Sequence, residues 1–207
     1  MPSQPPDGPS APSQFTMPGN AFDIQSNGGP TSMFAGEPYS GPVSGLQGEI
    51  IMITPDNLNV TASVPNVFIR TGSGDDGINV SMMNGNNVLD GGGGSNFLTG
   101  GSGSDTFFVD DRGATADIWS TAVNFHAGDG ATIWGVTPQD FALTWADGQG
   151  AAGFTGLTLH ATTVGKPTVS LTLAGYSRAD MANGRLSVSF GIDPASGSAY
   201  MNVHGNS

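Results

Sequence analysis

Large apolar side chains recur along the middle of the chain at nine- to eleven-residue steps: Ile78, Leu89, Leu98 and Phe107. Each sits in a short window between glycine-rich polar turns. Three residues are enough for a strand with one side chain pointing inward. Leu58 and Phe68 extend the series upstream at ten-residue steps and predict two weaker rungs. Before them, LQGEIIMIT (46–54) reads as an apolar strand. Residues 137–207 follow another pattern. Phe141-Leu143-Trp145, Leu157-Leu159-Ala161, Val169-Leu171-Leu173 and Leu186-Val188-Phe190 alternate with polar residues, so each places its apolar groups on one strand face. The turns DGQGAAG, VGKP and DPASG separate them, which predicts an antiparallel β-meander or sandwich. Ser177 to Asp180 reads as a helix start and Asn183-Gly184 as its stop, so one short helix is expected.

Residues 1–45 have no such period. Five prolines in the first fourteen residues favour extended chain. Phe15, Phe22, Ile24 and Phe34 are more apolar than a linker needs. Two readings stay open: a disordered tail with sticky residues, or an arm docked on its own or a neighbour's surface. The chain thus divides into an extended or disordered Pro/Gly-rich N-terminal arm (1–45), a periodic region (46–136) and an antiparallel β C-terminal domain (137–207).

Composition sharpens this picture. Of 207 residues 33 are glycine, and eleven of those fall between Gly72 and Gly103, inside the period. Seventeen acids face five bases, for a net charge of −12. Nucleic acid is excluded as a partner, because phosphate binding needs clustered Lys and Arg. Fifteen of the acids are Asp, a short oxygen donor that suits turns and hard cations. The absence of Cys removes disulfides and thiolate metal sites. No apolar run approaches a membrane span. The first twenty residues hold no Lys, Arg or apolar core, so export is expected to use a route that does not read the N-terminus.

Four nine-residue units stack: 71–79, 82–90, 91–99 and 100–108. Position four is glycine in each (Gly74, Gly85, Gly94, Gly103), and position six is Asp or Asn (Asp76, Asn87, Asn96, Asp105). Position eight is the large apolar residue. This segment resembles the haemolysin-type calcium-binding (RTX) repeats of bacterial exoproteins, whose pattern is G-G-x-G-x-D-x-U-x. The resemblance implies a parallel β-roll, or β-solenoid, with two units per full coil, and the antiparallel C-terminal strands read from their alternation are expected to cap its end. It implies Ca²⁺ between position-six side chains two units apart, completed by carbonyls of the glycine turns. It also implies an exported, extracellular or cell-surface protein. The C-terminal AYMNVHGNS lacks the acidic–apolar ending usual for the family's export signal.

The implied pairs are Asp76 with Asn96, and Asn87 with Asp105, one carboxylate and one amide each. Two facing carboxylates would repel, so each Asn relieves the empty gap and weakens its pull on an ion. Weaker calcium binding and less calcium-dependent folding are expected. An ion-free solenoid with Asn/Asp turns is the alternative. After the repeats, Asp117-Ile118-Trp119 and Asn124-Phe125-His126-Ala127-Gly128-Asp129 resemble a segment that often follows such repeats, which adds Asp129 and Asp117 as ligand candidates.

No catalytic motif appears. Gly72-Ser73-Gly74-Asp75-Asp76-Gly77 spells G-x-G-x-x-G, but its carboxylates would face a pyrophosphate and no helix follows. No H-E-x-x-H or G-x-S-x-G occurs. The expectation is a non-enzymatic, secreted calcium-binding structural protein, self-assembling through its N-terminal arm into a homopolymeric filament or layer. A carbohydrate-binding accessory module, using Trp119, Trp134 or Trp145 on an extracellular polysaccharide, is the second reading. An enzyme with an unrecognised site in residues 137–207 is the third.

Overall fold

A computed structural model describes residues 16–207, and the proline-rich opening and the Phe15 anchor lie outside the described residues. The described residues form a β-solenoid of about four coils, and their regular structure is nearly all β. Sheet A contains β5 (Leu58–Ala62), β7 (Gly77–Asn79), β9 (Phe97–Thr99), β11 (Ile118–Val123) and β15 (Val169–Ala174), mutually parallel. Sheet B contains β4 (Gly48–Ile51), β6 (Val67–Arg70), β8 (Val88–Asp90), β10 (Thr106–Asp110) and β12 (Gly130–Trp134), also parallel. The chain alternates between the sheets, and the glycine-rich units form the turns at both edges.

The apolar residues stack in register. Ile24, Val60, Ile78, Leu98, Ala122 and Leu173 form one buried column of sheet A. Ile69, Leu89, Phe107, Ala131 and Val203 form the facing column of sheet B. Each fully buried Leu, Ile or Phe contributes roughly 1.5–3 kcal/mol.

Both upstream rungs exist, but in a different register from the expected one. Val60 and Ile69 point inward in line with Ile78 and Leu89. Phe68 turns outward against Tyr39, with ring centroids 5.9 Å apart. The reason lies at position six. Leu58 and Val67 take that place in the first coil, where an apolar end suffices, so no Asp or Asn marks the phase.

Both ends of the roll are finished by antiparallel strands. At one end β1 (Phe22–Ser26) pairs with β5, β2 (Thr31–Phe34) pairs with β1, and β3 (Glu37–Pro38) pairs with β4. Phe22 and Ile24 are buried in the roll's own core. At the other end, residues 137–207 add strands to these same two sheets. Sheet A gains β14 (Phe154–Thr162) and β13 (Ala142–Ala151), while sheet B gains β17 (Ala199–Gly205) and β16 (Leu186–Ile192). Two of the alternating triplets are buried as expected, Leu157-Leu159-Ala161 and Val169-Leu171-Leu173, whereas Leu143, Trp145 and Val188 are only partly buried and Phe190 is exposed. A register shift between Ala146 and Gln149 redirects the β13–β14 tip, and Phe154 meets the Phe97 ring edge-on at 4.8 Å. The expected helix is α1 (Arg178–Ala182), started by Ser177. The Asp180 carboxylate accepts from the Ser177 N–H and hydroxyl at 2.8 and 3.0 Å. No helix among the described residues is long and apolar enough to cross a membrane.

Candidate cation site on the turn edges

Stacked turns leave backbone N–H groups that the sheets do not pair, and buried donors of this kind need acceptors. Position six supplies them. On the edge where the chain passes from sheet B to sheet A, Leu58 N–H donates to Asp76 Oδ1 (2.8 Å) and Asp76 N–H to Asn96 Oδ1 (2.9 Å). Asn96 N–H then donates to Ser120 Oγ (3.3 Å). On the opposite edge, Val67 N–H donates to Asn87 Oδ1 (3.2 Å), Asn87 N–H to Asp105 Oδ1 (2.9 Å) and Asp105 N–H to Asp129 Oδ1 (2.8 Å). Each side chain therefore reaches back one coil. All five Asp and Asn residues of these two columns are buried. A hydrogen bond to a charged group is worth about 1.5–3 kcal/mol and a neutral one about 1 kcal/mol, so the ladders hold the coils together.

A second pair of ladders at position five runs the other way. Asp75 N–H donates to Asn57 Oδ1 (3.0 Å), Ser95 N–H to Asp75 Oδ1 (2.7 Å) and Trp119 N–H to Ser95 Oγ (3.0 Å). On the other edge, Asn86 N–H donates to Asn66 Oδ1 (3.0 Å) and Ser104 N–H to Asn86 Oδ1 (3.1 Å). Sequence reasoning missed this outer set and also Ser120. The signal was present for Ser120, since Asn96 to Ser120 spans the same 24 residues as Asp105 to Asp129.

The implied pairs do come together. Asn87 Nδ2 donates to Asp105 Oδ1 at 2.8 Å and to the Gly85 carbonyl at 3.1 Å. Asn96 Nδ2 donates to the Gly93 carbonyl at 3.0 Å. The second Asp105 oxygen accepts from Gly101 N–H at 2.6 Å, and the second Asp129 oxygen from His126 N–H at 2.9 Å. The repeat glycines let the turns stack this closely. Gly94 lies at φ +75° above the Gly74 carbonyl, and Gly103 lies above that of Gly85. Asp117 stands off the ladders and accepts from Thr168 N–H at 2.6 Å.

Asp76 differs from the rest. It is 2% exposed, and its Oδ2 makes no hydrogen bond. Thr71 is 1% exposed, and its Oγ1 makes none either, although the hydroxyl lies close enough to ease the carboxylate's burial. Burial raises the Asp76 carboxyl above its usual range, against the pull of the Leu58 N–H. Thr71 lines a groove of about 780 Å³ along this edge, together with Asp75, Asp110 and Asp117. Burial also raises Asp90 and Asp111 nearby. Among the described residues, no three His, Asp or Glu side chains converge as a ready metal cluster, so any cation here must draw on hydroxyls and carbonyls.

A serine–histidine relay lies in the C-terminal region. His160 Nδ1 is 2.7 Å from Ser170 Oγ, and His160 Nε2 is 2.6 Å from Gln149 Oε1. Ser170 is buried, out of a substrate's reach. No family model, curated protein or solved structure matches this chain.

Asp129 yields a pH prediction. Burial pushes its carboxyl up to about 6, against the N–H groups of Asp105 and His126. The folded chain then holds that proton more tightly than the unfolded one. The stabilisation is complete below the ordinary carboxyl pKa and is lost as pH rises through about 6. The span corresponds to at most about 3 kcal/mol. In chelator, the urea midpoint of the natural chain is expected to fall between pH 4 and 7, and that of Asp129→Asn to fall less. Equal falls would show that Asp129 does not titrate this way.

Proposed function

We propose that this chain is a non-catalytic structural protein of the bacterial cell surface or extracellular space, built on RTX-like repeats with a C-terminal cap, and that it binds calcium beside Asp76. The observation that carries the reading is the buried Asp76 carboxylate, whose second oxygen makes no hydrogen bond of full geometry, next to the equally buried Thr71 hydroxyl. Both are hard oxygen donors of the kind calcium takes. Asp76 and Thr71 would hold the ion, with glycine-turn carbonyls completing the shell. Bound there, calcium would neutralise a buried charge. The Asn87–Asp105 gap does not fit an ion in the same way, because N–H groups already occupy its oxygens.

Thermal unfolding with calcium and with chelator tests the proposal. A ligand at a hundred times its Kd stabilises by about 2.7 kcal/mol, a shift of several degrees for a chain this size. The natural chain is expected to show that rise, and Asp76→Asn to lose it. No rise in the natural chain would refute the reading.

Self-association belongs to the same proposal, with a changed route. Phe22 and Ile24 are engaged in the chain's own core, which leaves the free sheet edges for a second copy. Ile51 and Ile53 lie exposed at one end and Ile192 at the other. The carbohydrate reading draws on an aromatic row outside sheet B, where Trp134 meets Phe108 and Tyr200 edge-on at 5.7 and 5.4 Å. A glycan array separates the two.

A further inference from the structure

We infer that the side-chain amides of Asn87 and Asn96 stand in for cations, so that these gaps of the roll close without an ion and the fold persists where free calcium is scarce. The Asn87 amide nitrogen lies between two oxygens that a cation would bridge, the Asp105 carboxylate at 2.8 Å and the Gly85 carbonyl at 3.1 Å. It has two protons, one for each. Asp105 is then saturated, since Asn87 N–H and Gly101 N–H reach its two oxygens as well. The single negative charge of that gap faces three N–H groups from two residues. On the other edge, the Asn96 amide occupies the Gly93 carbonyl, while its oxygen accepts from Asp76 N–H. In both places the amide performs the two tasks of a bridging ion. It ties a turn carbonyl to the ladder, and it removes the repulsion that a second carboxylate would bring.

Calcium demand is therefore set residue by residue at position six. Exchanging Asn87 for Asp replaces the donor by an oxygen. The Gly85 carbonyl loses its partner, and two buried carboxylates come within hydrogen-bond range. Such a gap needs a cation, and it has the oxygens to hold one.

The test uses the full chain in an Asp76→Asn background, where the site proposed above is already removed. Failure of that site and failure of this inference are thus read separately. Thermal unfolding is recorded in EGTA and in millimolar calcium chloride. The background alone is expected to melt at the same temperature in both. Adding Asn87→Asp is expected to lower the midpoint in EGTA by about 5–10 °C, with calcium restoring most of the loss. An Asn87→Asp chain that melts unchanged in EGTA shows that the amide is not needed and overturns the inference. An absence of calcium rescue in the Asn87→Asp chain, including failure to fold in either buffer, shows that the amide does not hold a cation's place and overturns it too.

Discussion

Phe22→Ala is expected to destabilise the folded chain by about 3–5 kcal/mol, the usual cost of truncating a buried phenylalanine. Domains are stable by only about 5–15 kcal/mol, so this is a large share of the whole. Phe22 is fully buried and stands opposite Ala62 in β5 and Phe34 in β2. Gly36 turns at φ +70° beside its ring, and a Cβ there would strike both the ring and the Glu49 carbonyl. The ring thus pins the β1–β2 hairpin onto the first coil and closes that end of the core. If this segment were a loose tail, or an arm for a neighbouring molecule, the same substitution would change monomer stability by less than about 0.5 kcal/mol. Urea unfolding at two protein concentrations separates these cases. A large loss, equal at both concentrations, is the expected result.

Gly103→Ala is expected to cost a comparable amount for a different reason. A Cβ at Gly103 would strike the Gly85 carbonyl oxygen of the coil before it. Neighbouring parallel strands sit ~4.8 Å apart, and neither turn can move away freely. Ser102 N–H is bonded to the Met83 carbonyl at 2.9 Å, and Ser104 N–H to Asn86 Oδ1 at 3.1 Å. Overpacking costs about 1–3 kcal/mol, and each strained bond adds about 1 kcal/mol, for about 3–5 kcal/mol in total. Gly113→Ala is the control, because nothing lies within 4 Å of its Cβ position. Equal stabilities for the two variants would show that the coils are not stacked this closely.

The repeat made the centre of the fold legible. Three columns of one nine-residue pattern carried the turn, the ladder and the core, and Ile78, Leu89, Leu98 and Phe107 all point inward. The pattern lost its phase in the first coil. A ladder side chain reaches back to the coil before it, and at the end of the stack that need gives way to packing. Leu58 and Val67 therefore carry no polar mark. The pairing of β1 with β5, and of β15 in parallel with β11, was hidden for another reason. Local alternation tells which residues share a face, whereas the choice of neighbouring strand depends on contacts dozens of residues away. On the turn edges, the spacing showed which position-six residues meet, Asp76 with Asn96 and Asn87 with Asp105. What it could not show was the direction of each hydrogen bond. That direction leaves a free oxygen on Asp76 and an occupied one on Asp105.

Counting calcium ions per chain by isothermal titration of the 207-residue chain, beside Asp76→Asn, tests this account most directly. Among the position-six side chains only Asp76 keeps a buried oxygen without a hydrogen bond. The account predicts about one ion per natural chain and none for the variant. Several ions per chain, one retained by the variant, or none bound by the natural chain would contradict it.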